Sequence, residues 1–161
     1  MRGMFRCREA SNRNNTATYG KSIDVTRGYV DLSGSFCSVN LATTAAARQR
    51  LRGSVKVQIR NDVANVPLPP GQRVDVVLVA KSQATGIEHE LGTATGQSVS
   101  LLGPGRWRTI HVRVDKRDGL PAGVYDLRAR FVPVQPLAEE SLANNEIATD
   151  RSGNRYQLQV D

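Results

Sequence analysis

The chain predicts an all-β fold: an antiparallel β-sandwich of about seven strands, preceded by an orphan N-terminal strand. Three observations carry this expectation. Apolar and polar residues alternate at period 2 from residue 55 almost to the end, which is the spacing of half-buried strands. The 14 glycines and 7 prolines are spread as turn punctuation rather than gathered in one tract. No long stretch favours a helix.

A repeat sets the organisation. The pattern E-x-S-x-x-N-N occurs as Glu9-Ala10-Ser11-Asn12-Arg13-Asn14-Asn15 and again as Glu139-Glu140-Ser141-Leu142-Ala143-Asn144-Asn145. An alternating stretch follows each copy, KSIDV after the first and YQLQV after the second. Self-similarity of this kind marks modular chains. Residues 1–28 therefore read as the tail of a preceding module, partly disordered or held as an edge strand at Ser22–Thr26. Residues 29–161 read as one complete module.

Within that module the elements follow in order. A first strand covers about Val30–Leu41. The stretch TTAAARQRLR is the one helix-favouring segment. It predicts a short helical turn capped by Thr43 or Thr44 and ended by Gly53, with an irregular connection as the alternative. Val55, Val57 and Ile59 then alternate with Lys56, Gln58 and Arg60. NDVANVPLPPGQ is a loop rich in turn residues. Val74, Val76, Leu78 and Ala80 form one face of the next strand, and residues 90–102 hold one or two weaker ones. Ile110, Val112 and Val114 follow the turn at Gly103-Pro104-Gly105. Tyr125, Leu127, Ala129 and Phe131 make the next strand, and Tyr156, Leu158 and Val160 the last. In LPAGVYDLRARF a tyrosine stands two residues before a core position, just after a turn. That is the arrangement of a tyrosine corner, in which the ring packs inside and the hydroxyl bonds upstream backbone, and it makes the expected sandwich immunoglobulin-like.

Composition bounds the rest. The 161 residues suffice for one domain with a real core. The net charge of +7 is uneven, since residues 1–28 hold six basic and two acidic side chains and the remainder 16 and 13. Cys7 and Cys37 make no disulfide framework; free thiols are the favoured reading and one bridge the alternative. No apolar run approaches the ~20 residues of a membrane span. The opening MRGMFRCREA lacks the apolar centre of a signal peptide.

The strings VDLSGSF, VKVQIRND, LGPGRWRTIHV, LPAGVYDLRARF and EESLANN resemble the CARDB family, bacterial modules related to cell adhesion. The resemblance covers about residues 30–161, and residues 8–25 look like the end of a preceding copy. Val132-Pro133 stands where family members often carry an aspartate, which puts any metal or turn role of that position in question. The resemblance implies an immunoglobulin-like, non-catalytic module, extracellular or on the cell surface, often in tandem arrays within a longer chain. For Asn144-Asn145 the residues themselves suggest turn formation, because asparagine tolerates left-handed backbone and bonds its own chain.

A search for chemistry yields no catalytic constellation. His89 lies in Glu88-His89-Glu90, a segment read as a loop whose adjacent residues point to opposite faces, and His111 is expected to point to solvent. Neither suggests a zinc site. Glu139-Glu140 lacks a partner acid. Asp115 and Asp118-Gly119 flank a turn, and turn chemistry is favoured over calcium. No cofactor or metal is expected, and no enzyme activity. The Val55 and Ile110 strands share a sheet with a cationic outer face of Lys56, Gln58, Arg60, Thr109, His111 and Arg113. Such a face is expected to be a solvated surface, with weak attraction to acidic polysaccharide as the alternative; without stacking aromatics it does not suggest nucleic acid. Trp107 is expected to pack at the core or an edge, with a surface contact as the alternative. On the opposite sheet, Val77 and Val79 lie beside Arg128 and Arg130. These four are the candidate partner face, for a neighbouring module or a foreign protein, unless arginine stems cover the valines. The expected function is a binding or spacer module of a tandem-repeat bacterial surface or secreted protein. The alternative is an accessory domain of a larger secreted enzyme.

Overall fold

Successive side chains of an extended strand point to opposite faces, so an alternating sequence buries one set only when two layers close over it. The computed structural model describes residues 27–161, and it closes two such layers. The strands are β1 (Leu32–Leu41), β2 (Thr44–Ala45), β3 (Leu51–Asn61), β4 (Arg73–Ser82), β5 (Glu88–Ser98), β6 (Trp107–Lys116), β7 (Gly123–Pro133), β8 (Glu146–Ile147) and β9 (Gln157–Val160), with a 3-10 turn at Ala143–Asn145 before β8. One sheet has the order β1-β3-β6 and the other β2-β9-β7-β4-β5, with β8 beside β7. All these pairings are antiparallel except β2 with β9. The chain thus runs along one sheet as β1, crosses, and joins the other as β2. This is an immunoglobulin-like sandwich.

The predicted faces are the buried faces. Val55, Val57 and Ile59 of β3, and Ile110, Val112 and Val114 of β6, meet Val74, Val76, Leu78 and Ala80 of β4, and Tyr125, Leu127, Ala129 and Phe131 of β7. Each fully buried aliphatic side chain contributes about 1.5–3 kcal/mol relative to exposure. Gly34 on β1 keeps the layers close. A Cβ there would lie 2.4 Å from the Gln58 carbonyl oxygen and 2.5 Å from Phe131 Cζ. The tyrosine corner is present: Tyr125 is buried, and its hydroxyl donates to the Pro121 carbonyl at 2.9 Å.

Several expectations are corrected. TTAAARQRLR forms no helix; Thr44–Ala45 is strand β2, and Arg48 adopts a left-handed φ of 60°. Pairing with β9 satisfies this backbone better than a lone helical turn, whose nucleation is unfavourable. Residues 90–102 carry one strand, β5, and His89 lies within it rather than in a loop. Nine strands replace about seven because two of them are two-residue pairings. The strand expected at Ser22–Thr26, the first E-x-S-x-x-N-N copy and Cys7 lie outside the described residues. Cys37 is exposed at a bulge between Phe36 and Ser38.

Candidate functional site

The E-x-S-x-x-N-N motif at residues 139–145 is a clamp on the start of β1. Glu139 Oε2 accepts from the Leu32 amide at 3.0 Å, and its Oε1 from Asn145 Nδ2 at 3.0 Å. Asp31 Oδ2 accepts from Asn144 Nδ2 at 2.7 Å, and its Oδ1 from the Ser141 amide at 3.2 Å. Ser141 Oγ accepts from the Ala143 amide at 3.3 Å. The other side of Asp31 is also held. Its amide donates to Asn61 Oδ1 at 3.2 Å, and Asn61 Nδ2 donates to the carbonyls of Val66 and Leu102, both at 2.9 Å. Burial pushes the Glu139 carboxyl above its usual range, and the nearby Asp31 charge adds to this, against the opposing hydrogen bonds from Asn145 and Leu32. Two expectations change here. Asp31 is the carboxylate neighbour that Glu139 was expected to lack. The asparagines sit in the 3-10 turn without left-handed backbone; the Asn144 side chain reaches across the fold to Asp31, while that of Asn145 bonds Glu139 within the same motif.

On the β4–β7 face, Val77 is register partner of Arg130 and Val79 of Arg128. Val79 is only 4% exposed. Both arginines pair with Glu146, and Arg130 also with Glu88. Both arginines of this face are thus engaged with carboxylates, and Val77 is half-buried. Among the other sequence candidates, Asp115 is gripped in bidentate fashion by Arg50 at 2.6 and 2.7 Å. That side-chain bond holds its carboxyl below the usual range. The His89 ring meets Tyr125 edge-on at 5.7 Å, and His111 is exposed.

A concave feature of the surface lies on the outer face of the β1-β3-β6 sheet. It is a groove of about 530 Å³ lined by Ser33, Gly34, Ser35, Gln58, Arg60, Asp62, Trp107, Asp150 and Arg151. Register builds its floor: Ser33 lies opposite Arg60, Ser35 opposite Gln58, and Arg60 opposite Trp107. Trp107 neither fills the core nor packs at an edge but is 54% exposed, because it lies in the outward phase of β6. Arg151 comes from the segment between β8 and β9. That segment is pinned to β1 by the Phe36 amide donating to the Thr149 carbonyl at 3.0 Å. Asp150 braces it, with its Oδ1 accepting from the amides of Ser152 at 2.8 Å and Asn154 at 2.9 Å. The Asn154 side chain is the main reason the Asp150 carboxyl sits below its usual range. From this base Arg151 crosses the sheet face. It donates to Gln58 Oε1 and sets its guanidinium carbon 5.2 Å from the Trp107 ring centroid. The span from the β1 edge to β6 is two strand spacings, about 10 Å. The sequence placed Gln58 and Arg60 on one outer face and named Trp107 separately. It did not connect them with Ser33, Ser35 and Arg151, which the β1 register and the 149–155 turn bring in.

No helix among the described residues is long and apolar enough to cross a membrane. No known family profile matches the chain, and no curated protein matches it. Among solved structures it is similar to the CARDB domain of a Pyrococcus furiosus protein. The crystal structure of that domain, in complex with di-metal ions, aligns at 14% identity and a TM-score of 0.46 over 90% of this chain and 100% of that one. The solution NMR structure of that domain aligns at 14% identity and a TM-score of 0.46 over 83% and 97%.

Proposed function

We propose that the chain is a non-catalytic binding module of a longer cell-surface or secreted protein, adhesion-related, and that its working surface is the Trp107 groove. The observation that carries this is an exposed tryptophan set among hydrogen-bonding side chains, on the outside of a sheet whose other face is core. Exposed aromatics with polar neighbours are typical anchors of recognition surfaces. The second E-x-S-x-x-N-N copy supports a tandem arrangement, since the described copy serves to close a module. In such an array each sandwich acts as a stiff spacer that presents its groove.

The test uses the protein's single tryptophan. Immobilised surface polysaccharides and surface proteins are offered to the whole chain, and retention is measured alongside Trp107 emission. The expected result is retention that shifts the emission and that Trp107→Ala weakens about tenfold, equivalent to ~1.4 kcal/mol. Retention that is indifferent to Trp107→Ala removes the groove from the function.

A further inference from the structure

We infer that the groove takes an acidic glycan, a chain of sugar rings bearing carboxylates. This rests on the groove being the working surface and adds what it selects. The first support is charge. Among the described residues, Arg151 makes no ion pair; its guanidinium lies between the neutral Gln58 amide and the Trp107 ring. The acidic side chains of the lining are already engaged. Asp150 braces its own turn. Asp62 lies 3.4 Å from Arg60 Nε and accepts from Ser33 Oγ at 3.4 Å. Among the described residues the groove therefore presents one guanidinium without a carboxylate partner, Arg151, beside a second, Arg60, that is half-exposed and paired with Asp62. Guanidinium forks match carboxylates in bidentate geometry.

The second support is the rest of the lining. Ser33, Ser35 and Gln58 offer short hydroxyl and amide partners on a flat floor, which suit ring hydroxyls. The indole offers an apolar surface for ring C–H groups. The volume falls within the range of ligand clefts, about 300–1,000 Å³. A single-stranded nucleic acid fits less well, because it wants successive aromatic platforms and Trp107 is the single aromatic of this lining.

The test compares polygalacturonate with its methyl ester at matched chain length, by calorimetry and Trp107 emission on the whole chain. The acid is expected to bind about tenfold more tightly than the ester. Arg151→Gln and Arg60→Gln should each remove most of that preference while leaving affinity for the ester within about twofold. Lys56→Gln removes one charge from the same sheet face outside the groove, and it should leave the preference intact. Equal affinity for acid and ester overturns the inference, and so does a Lys56→Gln loss as large as that of Arg151→Gln. Tighter, Trp107-dependent binding of an oligothymidylate overturns it too. In each of these cases the groove reading stands or falls separately, on whether Trp107→Ala weakens surface retention.

Discussion

The Tyr125 hydroxyl makes one hydrogen bond, to the Pro121 carbonyl, while its ring lies in the core. Tyr125→Phe keeps the ring and removes that bond, so it is expected to cost about 0.5–1.5 kcal/mol. A lower urea midpoint at unchanged slope would confirm it. Glu139 sets a second expectation at this scale. Its carboxyl is raised by burial, so the folded state holds the proton more tightly than the unfolded chain. Its contribution is then fully present below the unfolded value and is lost as pH rises through the folded one. Stability followed from pH 4 upward should fall just above the usual carboxylate range, and Glu139→Gln should flatten that fall. Glu139→Ala strands the Leu32 amide and is expected to cost about 1–3 kcal/mol at any pH. The tyrosine was legible from the sequence because its neighbours in the chain define the corner. The partners of Asn144 were not, because Asp31 lies 113 residues away.

Alternation made β3, β4, β6 and β7 legible, since each buries one face over a full strand length. It failed at β2, where the composition of TTAAARQRLR favours a helix. A two-residue parallel pairing with β9 overrode that local preference. It also failed to rank Val77 against Val79, since both sit in the outward phase of β4. The structure separates them: Val79 is 4% exposed and Val77 half-buried, with a register irregularity against β5 between Leu78 and Val79. Val79→Lys therefore places an ammonium at a buried position opposite Arg128 and is expected to destabilise by about 2 kcal/mol or more. Val77, half-buried, should tolerate the same change with a smaller loss. Thermal melts of the two variants check the order.

At the scale of the whole molecule, the sandwich was legible because turn spacing and alternation agree on it. The groove was not. Its floor depends on the register of three strands and its bar on a turn contributed by the opposite half of the chain. The clamp is of the same kind, joining residue 31 to residues 139–145. It has a mechanical consequence. Tension applied ahead of Val30 does not peel β1 rung by rung. Past the bonds of Arg27 and Tyr29 to Asn65, it meets Val30, Asp31 and Leu32 fastened side by side to Glu140, Ser141, Asn144 and Glu139, and to Asn61 on β3. Fastenings loaded together must yield together, so the seam resists tugging far better than the same bonds arranged in sequence would.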